Sequence, residues 1–279
     1  MQPLALKSTF KPTLVRRIGW LDWSKWLVVP VLPLLVLANR PWGRMFGVML
    51  VCAVFLGFIL FMALRAWETS LRRQFIREST LPRFLGAKLR AQYPQLGARD
   101  VELVLHGLRQ FFMAHLRSQR QFVAMPSQVA DAAWHEFILH TRAYEAWCSA
   151  AFGKLMHHTP AEVLGRDPKR NDGLRRTWYW ACKEESINPR KPTRLPLLFA
   201  LDKKFAIAGG FAYVPDCSDI DRKSGSGDYC GTSFGDGGGA DGGSAGDAGS
   251  FGGSESSSSD AGGSGDGDGG GGGGCGGGD

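Results

Sequence analysis

MFGVMLVCAVFLGFILFMAL, running from Met45 to Leu64, is twenty residues long and carries no charge. As an α-helix rising 1.5 Å per residue it spans about 30 Å, the thickness of a bilayer's hydrocarbon core. Burying such a helix in a soluble domain requires protein on every side of it, and a chain of 279 residues does not supply that much core. The run predicts a transmembrane helix, and the rest of the chain is read outward from it.

On the N-terminal side, Trp26 to Ala38 (WLVVPVLPLLVLA) is strictly apolar, and Trp20, Leu21 and Trp23 lengthen it at the cost of Asp22 and Lys25. The tryptophans suit an interfacial belt, and membrane helices tolerate prolines such as Pro30 and Pro33 better than soluble ones do. The two segments predict a transmembrane hairpin. Lys7, Lys11, Arg16 and Arg17 precede it and Arg65, Arg72, Arg73 and Arg77 follow it, whereas the connecting loop holds only Arg40 and Arg44. The excess of cations on the outer flanks predicts a multi-pass protein with both termini cytoplasmic.

Beyond the second span the pattern is helical. Val101, Val104, Leu105, Leu108, Phe111, Phe112 and Leu116 follow a 3.6-residue period, and Trp134, Phe137, Ile138, Thr141, Tyr144, Cys148 and Phe152 are spaced by threes and fours. Ser127 is placed as an N-cap, Thr159-Pro160 as a cap with proline at the first helical position, and a further helix is expected from Asn171 to Glu185. No run alternates like a strand. After Ser224 the chain collapses into Gly, Ser and Asp, with 26 of its 38 glycines in the last 55 residues. Too few apolar groups remain there to offset chain entropy, which predicts disorder. Within that tract Gly231-Thr-Ser-Phe-Gly235 fits the GxSxG nucleophile pattern but lacks the flanking strand and helix that the motif needs, so Ser233 is not read as catalytic.

The sequence therefore predicts an all-α chain. A basic N-terminus (1–19) precedes a membrane anchor (20–65, spans 20–38 and 45–64). A soluble helical domain (66–215) and a disordered acidic Gly/Ser/Asp-rich tail (216–279) follow. The net charge of +7 hides a segregation: from Asp216 onward twelve acidic and two basic residues give the tail about −10, and everything before it about +17. The acidic tail argues against nucleic acid as a partner, because it repels phosphates. Six widely spaced cysteines without a CxxC pair argue against a disulfide framework and exclude a zinc ribbon.

The most distinctive stretch is Asp131-Ala-Ala-Trp-His135-Glu-Phe-Ile-Leu-His140-Thr-Arg-Ala-Tyr144-Glu-Ala-Trp-Cys148, followed by Phe152-Gly153 and His157-His158. It resembles the signature of the glycine-rich domain-containing protein family, D-x-x-W-H followed by a tyrosine, a cysteine and a Gly- or His-bearing segment. Leu195 to Asp202, Gly209-Gly210 and Tyr213 resemble the end of the bacterial version of that family, which implies a bacterial inner membrane. The resemblance covers Met125 to Tyr213 and implies no established reaction.

From the residues themselves one metal site is conceivable. Asp131 and His135, at i and i+4, share a helix face, so the carboxylate can orient the imidazole. His135, His157, His158 and Cys148 would supply N and S ligands to a divalent metal, with Asp131 and Tyr144 supporting them. His140 joins Tyr144 and Cys148 on one line if the helix continues through Thr141. His135 and His140 lie roughly 140° apart on a helix and do not chelate as HExxH does. The competing reading makes Trp134, Tyr144 and Cys148 core residues. Two functions follow: a cytoplasmic helical interaction module, tethered to the lipid bilayer and serving a protein partner, or a metal-dependent enzyme built on the histidines.

Overall fold

The computed structural model describes residues 12–39, 45–158, 168–216, 229–231 and 234. The expected cap at Thr159-Pro160, the loop cations Arg40 and Arg44, Ser233 and the tract beyond Phe234 lie outside them. The described residues are mainly helical, as the sequence predicts.

Helices α1 (Pro12–Asn39) and α2 (Met45–Glu78) form an antiparallel pair. Both contain segments long and apolar enough to cross a membrane, and only 6% of each apolar window is buried by the rest of the chain. A core helix of a soluble domain would be covered. α1 runs through Pro30 and Pro33, each of which removes a backbone donor. Trp26 meets Phe61 at 5.6 Å between ring centroids. Counting six residues outward from that contact in each direction puts Trp20 opposite Trp67. Both are more than half exposed, as is Trp23, so the hairpin carries an aromatic girdle at the end nearer the domain.

Neither helix ends where the apolar pattern does. α1 begins at Pro12, inside the expected basic N-terminal segment, and buries Leu14, Ile18 and Leu21. α2 continues fourteen residues past Leu64, about 21 Å, as part of the helical domain. This extension buries Phe75 and Ile76, and also Glu68 and Arg72. The two charges are tolerated because they satisfy each other. Arg72 Nε donates to Glu68 Oε1 at 2.7 Å, Lys25 Nζ from α1 donates to Glu68 Oε2 at 2.5 Å, and Lys25 also bonds Asp22. Of the charges that interrupt the first apolar run, Lys25 thus bonds Glu68 of α2, and Asp22 bonds Lys25 within α1.

The domain is built around α4 (Ala98–Arg117), whose carboxylate at Asp100 accepts from the Gly97 N–H at the helix start. It packs against α2, α3 (Phe84–Gln92), α5 (Gln128–Leu139), α7 (Pro168–Glu184) and α8 (Leu197–Lys204). Phe111, Phe112, Phe137, Trp134, Trp147 and Phe152 interlock at the centre, with Phe112 and Trp147 at 4.5 Å and Phe111 and Trp134 at 5.0 Å. Tilted and edge-on rings at such distances gain about 0.5–1.5 kcal/mol per pair beyond area burial. The stripe expected as one helix from Trp134 to Phe152 is broken at His140 (φ −89°, ψ 62°), which separates α5 from α6 (Thr141–Phe152). The His140 ring stacks on Phe84 at 3.8 Å, away from the line of Tyr144 and Cys148.

A short parallel pair closes the fold: β1 (Tyr213–Val214) beside β2 (Tyr229–Cys230), with Tyr213 opposite Tyr229. Cys230 is disulfide-bonded, against the expectation from cysteine spacing. Phe234 is 1% exposed and packs on Trp178 and Phe199 at centroid distances of 5.6 and 6.3 Å. A Cβ at Gly231 would stand 2.2 Å from Trp178 Cη2. The folded domain therefore reaches Phe234, past the expected boundary at residue 216. The glycine and phenylalanine of the GxSxG pattern serve packing.

Candidate metal centre

The site grows from the start of α5. Ser127 caps that helix, its hydroxyl accepting from Ala130 N at 3.3 Å. A second cap, the buried carboxylate of Asp202 in α8, accepts from Ser127 Oγ (2.7 Å), Gln128 N (2.7 Å) and Val129 N (3.2 Å). A carboxylate bonded to the orphan N–H groups of a helix start also opposes the helix dipole, so α5 is fixed in register and direction. Asp131 then lies in the first turn and His135 one turn on, both on the same face.

The third member comes from the chain after α6. Gly153 ends α6 in the left-handed conformation (φ 78°), where a Cβ would come within 3.0 Å of Arg72 Nη2. Arg72 Nη1 donates to the carbonyls of Ser149 and Ala150 at 3.0 and 2.9 Å in the last turn of α6, where Ser149 also accepts from the Gly153 N–H at 2.9 Å. The chain then extends, with Met156 buried, His157 exposed and His158 turned partly inward. Tyr144 fixes this segment. Its hydroxyl accepts from Trp134 Nε1 at 3.0 Å and donates to the Met156 carbonyl at 2.6 Å, and burial pushes its pKa well above the ordinary phenol range.

These constraints bring Asp131, His135 and His158 together. Asp131 Oδ1 is 3.0 Å from His158 Nε2, and Asp131 Oδ2 is 3.5 Å from His135 Nδ1. The two imidazoles face each other at 4.3 Å between centroids, and His158 also meets the Trp134 ring at 4.5 Å. One potential ligand atom from each of the three residues lies within 4.8 Å of the others. Around a tetrahedral zinc, ligand atoms about 2.0–2.1 Å from the ion stand about 3.3 Å apart. The two carboxylate–imidazole distances, one from each carboxylate oxygen, bracket that value, and the widest pair of ligand atoms, at most 4.8 Å, would close by up to about 1.5 Å. Side-chain exposure is 12% for His158, 29% for Asp131 and 53% for His135, so one ligand is anchored against the core and the opposite side opens to solvent. Two histidines and one carboxylate form a set that suits zinc or another first-row divalent ion with coordination positions left over.

The structure sorts the sequence candidates. Asp131 stands where a ligand would, in place of the supporting role expected for it. His157 points away to solvent. Cys148 is fully buried and absent from the ligand group; burial raises its pKa to about 11, which keeps it a thiol at neutral pH. Tyr144 supports the site through the Met156 carbonyl rather than through a histidine. Asp202 and Arg72, the residues that set the positions of α5 and the His158 segment, were not singled out from sequence. The alternation of exposure from Leu155 to His158 is the local signal that distinguishes His158 from His157.

The profile of the UCP032817-like family matches residues 71–234, more than half of the chain, and the chain belongs to that family. The matched segment begins in the domain-side part of α2 and ends at the buried Phe234, and so takes in all three residues of the candidate centre. No curated protein and no solved structure matches the chain.

Proposed function

We propose that this chain is a membrane-anchored protein whose helical domain, the part covered by the UCP032817-like family, binds a divalent transition metal through Asp131, His135 and His158. The observation that carries the reading is the convergence of three ligand atoms within 4.8 Å from two separately fixed segments, the first turns of α5 and the loop after α6. The D-x-x-W-H core, read as akin to that of the glycine-rich domain-containing family, supplies two of the ligands in one helical turn. Trp134, between them in sequence, is the wall on which His158 rests. At such a centre Asp131 would contribute the negative charge and His158 the fixed direction. His135 would be the exchangeable ligand on the open side.

The apolar hairpin with its aromatic girdle supports anchoring in a bilayer. The cationic outer flanks favour a cytoplasmic domain, whereas a disulfide at Cys230 suits an oxidising compartment. We adopt the cytoplasmic orientation, because lysine and arginine bias sets topology when the helices insert.

The test is metal content. The intact chain, purified in detergent and dialysed against buffer with trace zinc, is expected to retain about one equivalent by mass spectrometry. His135→Ala and Asp131→Ala should lose it while remaining folded by circular dichroism. The intact chain is needed because removing α2 would remove Arg72, Phe75 and Ile76 from the domain. A folded, metal-free protein would overturn the proposal and favour a domain that serves a protein partner.

A further inference from the structure

A cavity of about 390 Å³ opens between the domain-side end of α2, α4, the end of α7 and the start of α8. It is remote in sequence from the candidate metal centre and shares no residue with it. Ile76, Met113 and Leu197 form an apolar wall, and Arg109, His106 and two glutamates line the remainder.

The carboxylates are already engaged. Glu184 is held by Arg77 at 2.6 Å and Arg117 at 2.7 Å. Glu185 is held by Arg194, by Gln110 Nε2 at 2.8 Å and by Leu197 N at 2.6 Å. The Gln110 carbonyl in turn accepts from Leu198 N at 3.1 Å. Arg109 differs. Its Nε is buried without a hydrogen-bond partner, as is that of Arg117, but among the described residues no ion pair engages the Arg109 guanidinium, whereas Arg117 holds Glu184. A partly buried cation in that state is costly, and buried polar groups without partners are rare enough to require a reason. Within the lining Arg77 is committed to Glu184, and Arg117 and Arg194 neutralise Glu184 and Glu185 from outside it, so Arg109 is the cation left facing the apolar wall. Burial, and then Arg109 itself, lower the pKa of His106, so at neutral pH the imidazole is uncharged and adds hydrogen-bonding capacity.

We infer that this cavity binds a small amphiphilic anion, its carboxylate or phosphate head on Arg109 and its hydrocarbon body against Ile76, Met113 and Leu197. A guanidinium offers parallel N–H groups that match either head group, and apolar walls with a few polar fixtures are the usual make-up of small-molecule sites. The proposal is independent of metal binding.

The intact chain in lipid nanodiscs is titrated with benzoate and with phenyl phosphate, two soluble probes that differ only in the anionic head; benzamide serves as the uncharged control. Calorimetry or ligand-observed NMR should show saturable binding of at least one anion and none of benzamide. Arg109→Gln should weaken that binding at least tenfold. Leu197→Trp, which fills the apolar side and leaves Arg109 in place, should also abolish it, so a loss in both variants marks the cavity. The preferred probe identifies the head group. Binding unchanged in Arg109→Gln, equal binding of benzamide, or no saturable binding of either anion at millimolar concentration by the folded protein would overturn the inference.

Discussion

Replacing Tyr144 with Phe tests how the candidate centre is held, because it removes one oxygen and leaves the ring. That oxygen accepts from the indole N–H of Trp134 and donates to the Met156 carbonyl, both in the buried core. Without it a donor and an acceptor are stranded out of reach of water. Leaving one buried group unsatisfied costs about 1–3 kcal/mol, so the pair should cost about 2–5 kcal/mol. For a chain of this size each kcal/mol moves the melting temperature by about 2–4 °C, which predicts a fall of about 4–20 °C by near-UV circular dichroism. A second effect is local. Met156 lies two residues before His158, and Trp134 is the ring His158 packs on. Metal affinity should therefore fall on the order of tenfold, as it does when outer supports of a metal ligand are removed. A melting temperature within about 2 °C of the parent, with zinc affinity unchanged in a chelator competition, would refute the view that Tyr144 fastens the His158 segment.

Other outcomes follow from the same contacts. Phe234→Ala should destabilise the chain by about 3–5 kcal/mol, measured by thermal or denaturant unfolding, because the ring is core despite its Gly-rich surroundings. Arg72→Met should cost about 3–5 kcal/mol in the same assay, since it leaves Glu68 with Lys25 alone and takes the guanidinium donor from the Ser149 and Ala150 carbonyls, of which Ser149 keeps only the Gly153 N–H. Burial lowers the His115 pKa to about 4, from 6.5. The unfolded chain then binds more protons between those values, so this group's contribution is full above about pH 6.5 and is lost as pH falls towards 4, by roughly 3 kcal/mol in all. His115→Gln should flatten that slope in a pH series of melts. A reporter fused after Asp279 should be active only in a cytoplasmic form; the opposite result would reverse the assigned topology and agree with an oxidising environment for Cys230.

The pair of long apolar helices was legible because uncharged length is itself the signal, and Ser127 was legible because a cap is local chemistry. Asp131 and His135 could be paired from their spacing alone. The parts that escaped depend on partners far away in sequence. Arg72 reads as one of the cations flanking the span, yet it and Glu68 are buried because Lys25, 43 residues before Glu68, and the end of α6 satisfy them. The break at His140 follows no proline or glycine; tertiary packing sets it, with the ring seated on Phe84. Composition hid Phe234: isolated aromatics such as Tyr229, Phe234 and Phe251 in a Gly/Ser tract cannot announce a core, and only the open space over Trp178, kept clear by Gly231, makes Phe234 part of one. Cys148 looked like a soft ligand on a helical line and is instead a thiol enclosed by the domain core.

Zinc K-edge X-ray absorption on the purified, metal-loaded chain tests the central claim most directly. Two imidazole nitrogens and one carboxylate oxygen predict a first shell of nitrogen and oxygen alone at about 2.0–2.1 Å, with outer-shell scattering from two imidazoles. Sulfur at about 2.3 Å would place a cysteine in the shell and contradict the assignment. So would a spectrum unchanged when His158 is replaced by alanine.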